Sequence, residues 1–450
     1  MRSTVFIALT LVAAAGSAAA QTPLTLRQAL ERAAQGGYSN RIAAGETEAT
    51  SAQVLAPLKG ILPTARLESG YVRTTDPLGA FGFELRQRTV TQAAFAPATL
   101  NDPDPIGNLA TGLVIEQPLF NADAWLGRKA ATEAHAAARS AEQWTQTSTA
   151  VEVVRGYWGA VLASERVRTL QAALDAARLH QREAESLVAQ GLATRSDALL
   201  ASVKAGEVEA ALIGAQSQSR LAKRGLALLM GEPGDTTFTL PDSLPQADWV
   251  RTVTDRARPG QTDAAGRADV QAAERALSAA EADRRRATAL YLPRLNSFGR
   301  LEWNAPGTPF GGKSAWTVGL MLSWSPFAGA SELSEVRAAG GRRMAASARA
   351  DAAKAQAALE LARAADDLAV ARARLDLAER AVTQAQEAHR IVGRKYDGGL
   401  ASVTELFDAA VAETSASLGF AAARHDALVA AAEQLKAAGS DLSPLLDLEN

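Results

Sequence analysis

Two rhythms of apolar and polar residues alternate along this chain. Between Ala315 and Ser325 every second residue is apolar, namely Trp316, Val318, Leu320, Leu322 and Trp324, while Thr317, Gly319, Met321 and Ser323 are small, polar or flexible. A period of two sorts side chains onto the two faces of a β-strand. Just upstream, Leu301 and Trp303 alternate with Arg300, Glu302 and Asn304, and the intervening GTPFGGK supplies turn residues. The pair predicts a hairpin. A weaker version of the same signal sets Leu67 and Tyr71 in one strand and Leu113 and Ile115 in another. After each strand pair the period changes. Leu361, Ala364, Leu368, Ala371, Leu375, Ala378, Val382 and Ala385 follow one another in steps of three and four, the heptad pattern of packed helices. Alanine at alternate seam positions lets helix axes approach closely.

The alternation is a repeat. Two proline-free tracts, Leu119 to Glu232 and Phe327 to Ser443, align at one offset of 208 residues. That offset pairs Pro118 with Pro326, Gly191-Leu192-Ala193 with Gly399-Leu400-Ala401, Asp197 with Glu405, and Gly231 with Gly439. Each tract has room for two helices of about 60 residues, each about 90 Å long at the usual helical rise, reversing at the central glycine. Upstream, ILPTARLESGY and YLPRLNSFGRLEW match as strand starts, and the first repeat carries a longer insertion. Asp76-Pro77, Gly79, Gly82 and Asn101 to Pro105 give that insertion the chemistry of loops. The organisation predicted is a first repeat over 21–232, a linker over 233–262, a second repeat over 263–438 and a tail over 439–450. The first repeat holds N-terminal helices, strands over about 65–117 and a helical hairpin over about 119–231. The second holds a helix, strands over about 295–325 and a hairpin over about 327–438.

Residues 1–20 read as a cleaved export signal: Arg2, an apolar run from Val5 to Ala15, and Ala18-Ala19-Ala20. A membrane anchor is the alternative, but the run is shorter than the roughly 20 residues a spanning helix needs. No later stretch is apolar for long enough either, so the exported chain is soluble or inserts as β-structure. Composition removes other classes. Lys and Arg (47) nearly balance Asp and Glu (49), so no bulk field favours nucleic acid. With no Cys, four Met and His135, His180, His389 and His425 scattered along helices, metal and thiol chemistry lack ligands, and no cofactor is predicted. No nucleotide-binding loop or catalytic triad pattern appears, so the chain is not read as an enzyme.

Four strands cannot enclose a lumen, and hydrocarbon does not tolerate open sheet edges. Several protomers must close such a barrel together, with Trp303, Trp316 and Trp324 at its membrane interfaces. A sheet buried under helices has the same binary pattern, so that alternative stays open at this point.

The two-fold arrangement of strand hairpin plus long helical hairpin, the LP, QPLF and SPF boundary marks, and above all GLATRSDALLA and YDGGLASVTELFDA resemble the TolC-like outer-membrane efflux proteins. The resemblance covers essentially the whole mature chain. It implies a mixed α/β membrane protein: a homotrimer whose protomers each give four strands to a twelve-stranded outer-membrane barrel, continued by a periplasmic helical tunnel. The function implied is passive export in a tripartite efflux or type I secretion system, with a periplasmic adaptor, an inner-membrane pump and outer-membrane lipid as partners. Gly191, Leu192, Ala193, Gly399, Leu400 and Ala401 become the tips that meet the adaptor. Tyr396 and Asp197, with Ser196 beside the latter, match a gate network. An arginine of that network is replaced here by Ala401, and Arg195 is a candidate substitute. Glu405 and Asp408 fall at the constriction, one helical turn apart on one face. Three-fold symmetry would make each a ring of carboxylates that favours cations and raises the tendency to protonate. Read from the residues alone, both are equally solvated charges on a coiled-coil surface, and a soluble periplasmic coiled-coil adaptor or spacer is the rival for the whole chain.

Overall fold

A computed structural model describes residues 23–234, 237–257 and 266–446. Residues 1–22, which include the export segment 1–20, residues 235–236 and 258–265 in and just after the linker, and residues 447–450 lie outside the described residues. Helices α1 (Leu26–Gly36) and α2 (Tyr38–Gln53) lead into strand β1 (Thr64–Thr74). Helices α3 (Pro77–Gln87) and α4 (Pro97–Asn101) occupy the connection to β2 (Ile106–Phe120). The long hairpin of α5 (Ala122–Ala189) and α6 (Arg195–Leu229) follows, then α7 (Ala247–Arg256). The second half runs through α8 (Ala268–Ala289), β3 (Arg294–Ala305), β4 (Ser314–Ser323), α9 (Ser331–Asp397) and α10 (Val403–Ala437), and α11 (Ser443–Leu446) closes the described chain.

The 208-residue offset carries over to the helix ends. Arg195 and Leu229, the bounds of α6, map onto Val403 and Ala437, the bounds of α10. At 68 and 67 residues, α5 and α9 are each about 100 Å long. The seam residues Ala364, Leu368, Ala371 and Leu375 of α9 are buried.

The four strands form one antiparallel sheet in the order β1-β2-β3-β4, leaving β1 and β4 as its edges. Register gathers the alternating residues onto two faces. Leu67 pairs with Leu113, Leu113 with Leu301 and Leu301 with Trp316; Ile115 pairs with Gly299 and Gly299 with Val318. The other face holds Arg66, Val114, Arg300 and Thr317 in one row and Glu68, Gly112, Glu302 and Ala315 in the next. On the apolar face Trp316, Val318, Leu320 and Leu322 stand exposed, at 68–74% of their full surface. Among the described residues no layer of helices covers them, which speaks against a sheet buried under helices.

The two passages from sheet to helix differ. Asn121 alone stands between β2 and α5, and its Nδ2 donates to the Gly60 carbonyl at 3.2 Å. Residues 324–330 separate β4 from α9, and there Gly329 and Ala330 both take positive φ.

Halfway along the hairpins a core forms around Val153, Val154, Tyr157 and Val161 of α5. Leu26 of α1, Leu226 of α6, Leu375 of α9 and Leu428 of α10 enter it, as do Phe238, Leu244, Val250 and Val253 between the hairpins. Inside this belt lies a buried ion pair. Arg424 donates to Glu165 Oε1 at 2.5 Å and to the carbonyls of Leu244 and Pro245 at 3.1 Å, and Glu165 Oε2 accepts from the Leu244 amide at 2.9 Å. Both side chains are 9% exposed. Burying charge is tolerated only when it is paired; Arg424 Nε has no hydrogen-bond partner among the described residues, but the bonds from its two terminal nitrogens fasten the 237–257 segment to α5 and α10.

The insertion between β1 and β2, expected as loop, carries α3. Asp76 is its N-cap, accepting from the Gly79 amide at 2.7 Å, and Pro77 takes the first turn, where its missing N–H costs nothing. The same Asp-Pro that reads as a turn here starts a helix.

Candidate functional site

Both long hairpins reverse in the same way. Gly191 and Gly399 take φ of +74° and +71°, the left-handed region where a residue without Cβ is favoured. The Leu192 amide donates to Leu187 O at 2.9 Å and Leu400 to Lys395 O at 2.7 Å, closing Schellman caps. Gly398 keeps a negative φ of −85° and serves as an ordinary C-cap, so only the second glycine of the pair is required. Leu192 and Leu400 project from the tips at 73% and 81% exposure, with Ala193 and Ala401 partly covered behind them.

The next helix of each hairpin starts with a capping box. Thr194 Oγ1 accepts from the Asp197 amide while the Asp197 carboxylate accepts from the Thr194 amide at 3.0 Å and hydroxyl at 2.8 Å. Ser402 and Glu405 repeat the exchange, with Glu405 Oε2 accepting from the Ser402 amide at 2.7 Å and hydroxyl at 3.0 Å. The repeat-equivalent acids therefore share a local task, reciprocal satisfaction of orphan amides. The T-R-S-D and S-V-T-E spacings carried that signal in the sequence. Inside one protomer the pair of Ser402 hydrogen bonds holds the Glu405 carboxyl below its ordinary range, opposite to the direction that a carboxylate ring imposes. Hydrogen bonds from Thr194 do the same for Asp197.

A depressed carboxyl pKa stabilises above the unfolded pKa and loses that contribution as pH falls through the lowered value. Both caps are thus fully present at neutral pH. Thr194→Ala and Ser402→Ala should each weaken the first turn of their helix by about 1 kcal/mol. Hydrogen exchange followed by mass spectrometry checks this: amides over 195–199 or 403–407 exchange faster, and those in the belt core are unchanged.

Tyr396 packs against the small apolar cluster of Ala177, Ala184, Ala201, Ala205, Val403 and Phe407 where the hairpins meet behind the tips. Burial raises its phenol pKa, and the negative charges of Glu183, Asp197 and Asp397 add to the rise. Tyr396 and Asp197 are therefore neighbours across the two hairpins, although the Asp197 carboxylate is engaged by Thr194. Arg195, Ser196 and Asp408 are exposed, and Arg195 makes no ion pair among the described residues. The histidines are half-buried rather than fully exposed: His389 lies 2.5 Å from Glu413, His180 3.0 Å from Glu183 and His135 3.1 Å from Thr50. Among the described residues no group of three or more His, Cys, Asp and Glu side chains could hold a metal, and no helix is long and apolar enough to cross a membrane.

At the other end, Trp316 on β4 and Trp324 just after it are exposed, and Trp324 Nε1 donates to the Tyr291 carbonyl at 3.1 Å. Trp303 is partly covered by an edge-to-face contact with Phe310 at 5.2 Å.

A two-faced sheet carried on paired helical hairpins defines the fold of the outer-membrane channels. The structure superposes on the outer membrane protein VceC of Vibrio cholerae with a TM-score of 0.75 at 22% identity, over 92% of this chain and 96% of that one. The CmeC outer membrane channel of Campylobacter jejuni gives 0.75 at 16% identity, over 94% and 88%. The open state of the MtrE outer membrane channel of Neisseria gonorrhoeae gives 0.72 at 19%, over 92% and 89%. No curated protein sequence matches the chain. The outer membrane efflux protein family matches residues 41–232 and 261–440. The chain belongs to that family, whose members are transport channels rather than enzymes.

Proposed function

We propose that this chain is the protomer of a trimeric exit duct: four strands from each copy close a twelve-stranded barrel in the outer membrane, and the helical hairpins continue it as a tunnel through the periplasm. The observation that carries the reading is the sheet. Its strands, 10 to 15 residues long, match the 9–11 residues that cross a bilayer when tilted. One face is apolar and bare, the other is mostly polar, and among the described residues both edges lack a partner strand. Hydrocarbon accepts such a sheet only when its edges are closed, and only further copies supply edges of matching length.

The helices support the same assembly. Leu199, Val203, Ile213, Leu221 and Leu228 on α6, and Leu359, Val370, Leu377 and Ile391 on α9, are exposed. Steps of seven, as in Leu221 to Leu228 and Val370 to Leu377, recur among them, which is the mark of a seam awaiting another helix. Leu192 and Leu400 at the tips suit docking to a periplasmic adaptor, and through it an inner-membrane pump, since the sequence carries no nucleotide-binding motif. Tyr396, Asp197 and Ser196, with Arg195 at hand, form the gate contacts between hairpins, and Glu405 and Asp408 line the mouth.

Planar-bilayer recording of the detergent-purified protein tests this. The expected result is small cation-selective steps whose selectivity drops in a Glu405→Ala, Asp408→Ala double variant. A protein that leaves with the soluble periplasmic fraction and needs no detergent would instead be the soluble coiled-coil spacer.

A further inference from the structure

The two strand hairpins end differently on the side away from the long helices. Between β3 and β4 the chain turns within residues 306–313, whereas between β1 and β2 it inserts residues 75–105 with α3 inside. This insertion does not stand clear of the sheet. Arg86 pairs with Glu302 at 3.5 Å, and Gln87 Nε2 donates to the Gly107 carbonyl at 2.8 Å and to Asn108 Oδ1 at 3.0 Å. Asn108 in turn donates to Asn304 Oδ1 at 2.7 Å. Asn108, Glu302 and Asn304 all belong to the polar face. Gln87, Asn108 and Asn304 are buried, at 9%, 2% and 4% exposure, so α3 seals a polar ladder that would otherwise face water.

One residue further on, Arg88 ends α3 with φ of +59°, a left-handed conformation that is strained for a non-glycine residue. Its side chain reaches across the sheet to the Ser314 carbonyl at 3.2 Å, at the start of β4. Backbone strain persists only where its surroundings over-determine it. Here it directs the guanidinium to the start of β4, so that Arg86, Gln87 and Arg88 together tie the end of α3 to β3, β2 and β4, with Glu302 and Asn108 on the face that lines the lumen in the assembly proposed above.

Dimensions decide what this does. Twelve strands about 4.8 Å apart and tilted by about 40° enclose a cylinder of about 24 Å backbone diameter. Three helices, each about 10 Å across with side chains, need a circle of about 22 Å to lie side by side. Resting on the inner wall of such a barrel, they leave little free aperture. We infer that the 75–105 insertion is an outer constriction: three copies of α3 narrow the external end of the barrel and set the size of solute that passes there. The inference rests on the trimeric reading and adds a selectivity element at the end opposite the helix tips.

The chain has no cysteine, so single thiols can be labelled without background. Arg66, exposed on the polar face towards the helical end of β1, reports access from outside past α3. In intact cells carrying Arg66→Cys, a small membrane-impermeant maleimide should react, whereas one bearing a long polyethylene glycol chain should not. Replacing residues 76–104 by the GTPFGGK turn should abolish the protection. An Arg86→Ala, Gln87→Ala pair, which unpins α3 without shortening the chain, should lower it should the shortened chain fail to reach the membrane. Equal reaction of the large reagent with the full-length and unpinned chains overturns the constriction. Lys313→Cys, in the β3–β4 turn, is the reference and should react with both reagents. If neither reagent reaches it from outside, the outer-membrane orientation itself falls, and the constriction with it.

Discussion

Arg424→Met should destabilise the helical body by about 3–5 kcal/mol, the usual cost of leaving one member of a buried ion pair without its partner. Glu165 would keep the Leu244 amide but lose the guanidinium, and the carbonyls of Leu244 and Pro245 would lose their donors. Arg424 also stacks on Phe420 at 4.7 Å, a contact methionine only partly replaces. Glu165→Leu combined with Arg424→Met should recover a substantial part of the loss, because two apolar groups carry no uncompensated charge. A double-variant cycle measured by chemical denaturation in detergent checks this. The segment that suffers first is 237–257, held by this pair, and limited proteolysis should nick it in the single variant before α5 or α10. Strict additivity of the two substitutions would show the pair to be energetically idle.

The second large effect falls on Gly231. The four glycines in repeat register, Gly191, Gly399, Gly231 and Gly439, share φ between +66° and +79°, so alanine meets the same backbone strain of about 1–2 kcal/mol at each. Their surroundings differ. A Cβ at Gly191 or Gly399 would meet open space, and one at Gly439 would sit 3.4 Å from Arg267 Cγ, an ordinary contact. At Gly231 it would lie 2.0 Å from the Gly36 carbonyl oxygen. Backbone cannot yield as a side chain does, so Gly231→Ala must push the α1–α2 junction off the end of α6. The expected loss exceeds about 4 kcal/mol, in the range reserved for such clashes, against about 1–2 kcal/mol for Gly191→Ala. Thermal melts of the two variants side by side test it, and equal shifts would refute the close-approach argument.

Much of this architecture was legible because repetition made weak signals agree. One glycine turn proves little, but four landmarks at one offset fix where both hairpins reverse. The period-two pattern identified the apolar strand residues, yet only register could show that Leu67, Leu113, Leu301 and Trp316 form a single row. What stayed hidden had specific causes. Asp76-Pro77 followed by Gly79 and Gly82 is equally a loop and a helix start, and the decision came from contacts with Glu302 and Asn108 far along the chain. Glu165 and Arg424 sit among many other helix charges, and nothing local distinguishes a buried pair from a solvated one. Arg267, with no exposed side-chain surface and lying 4.5 Å from the Trp144 ring, escaped for the same reason. At the tips the spacings were right and their local meaning was missed, since Asp197 and Glu405 cap helices whatever else they do in an assembly.

The unequal passages from sheet to helix have a mechanical consequence. With Asn121 alone between β2 and α5, the first hairpin is a strut whose direction is set by the strand it grows from. Residues 324–330, bent at Gly329 and Ala330, give the second hairpin a knuckle. Two halves that match residue for residue thus join the sheet in different ways, one through a straight post and the other through a bend.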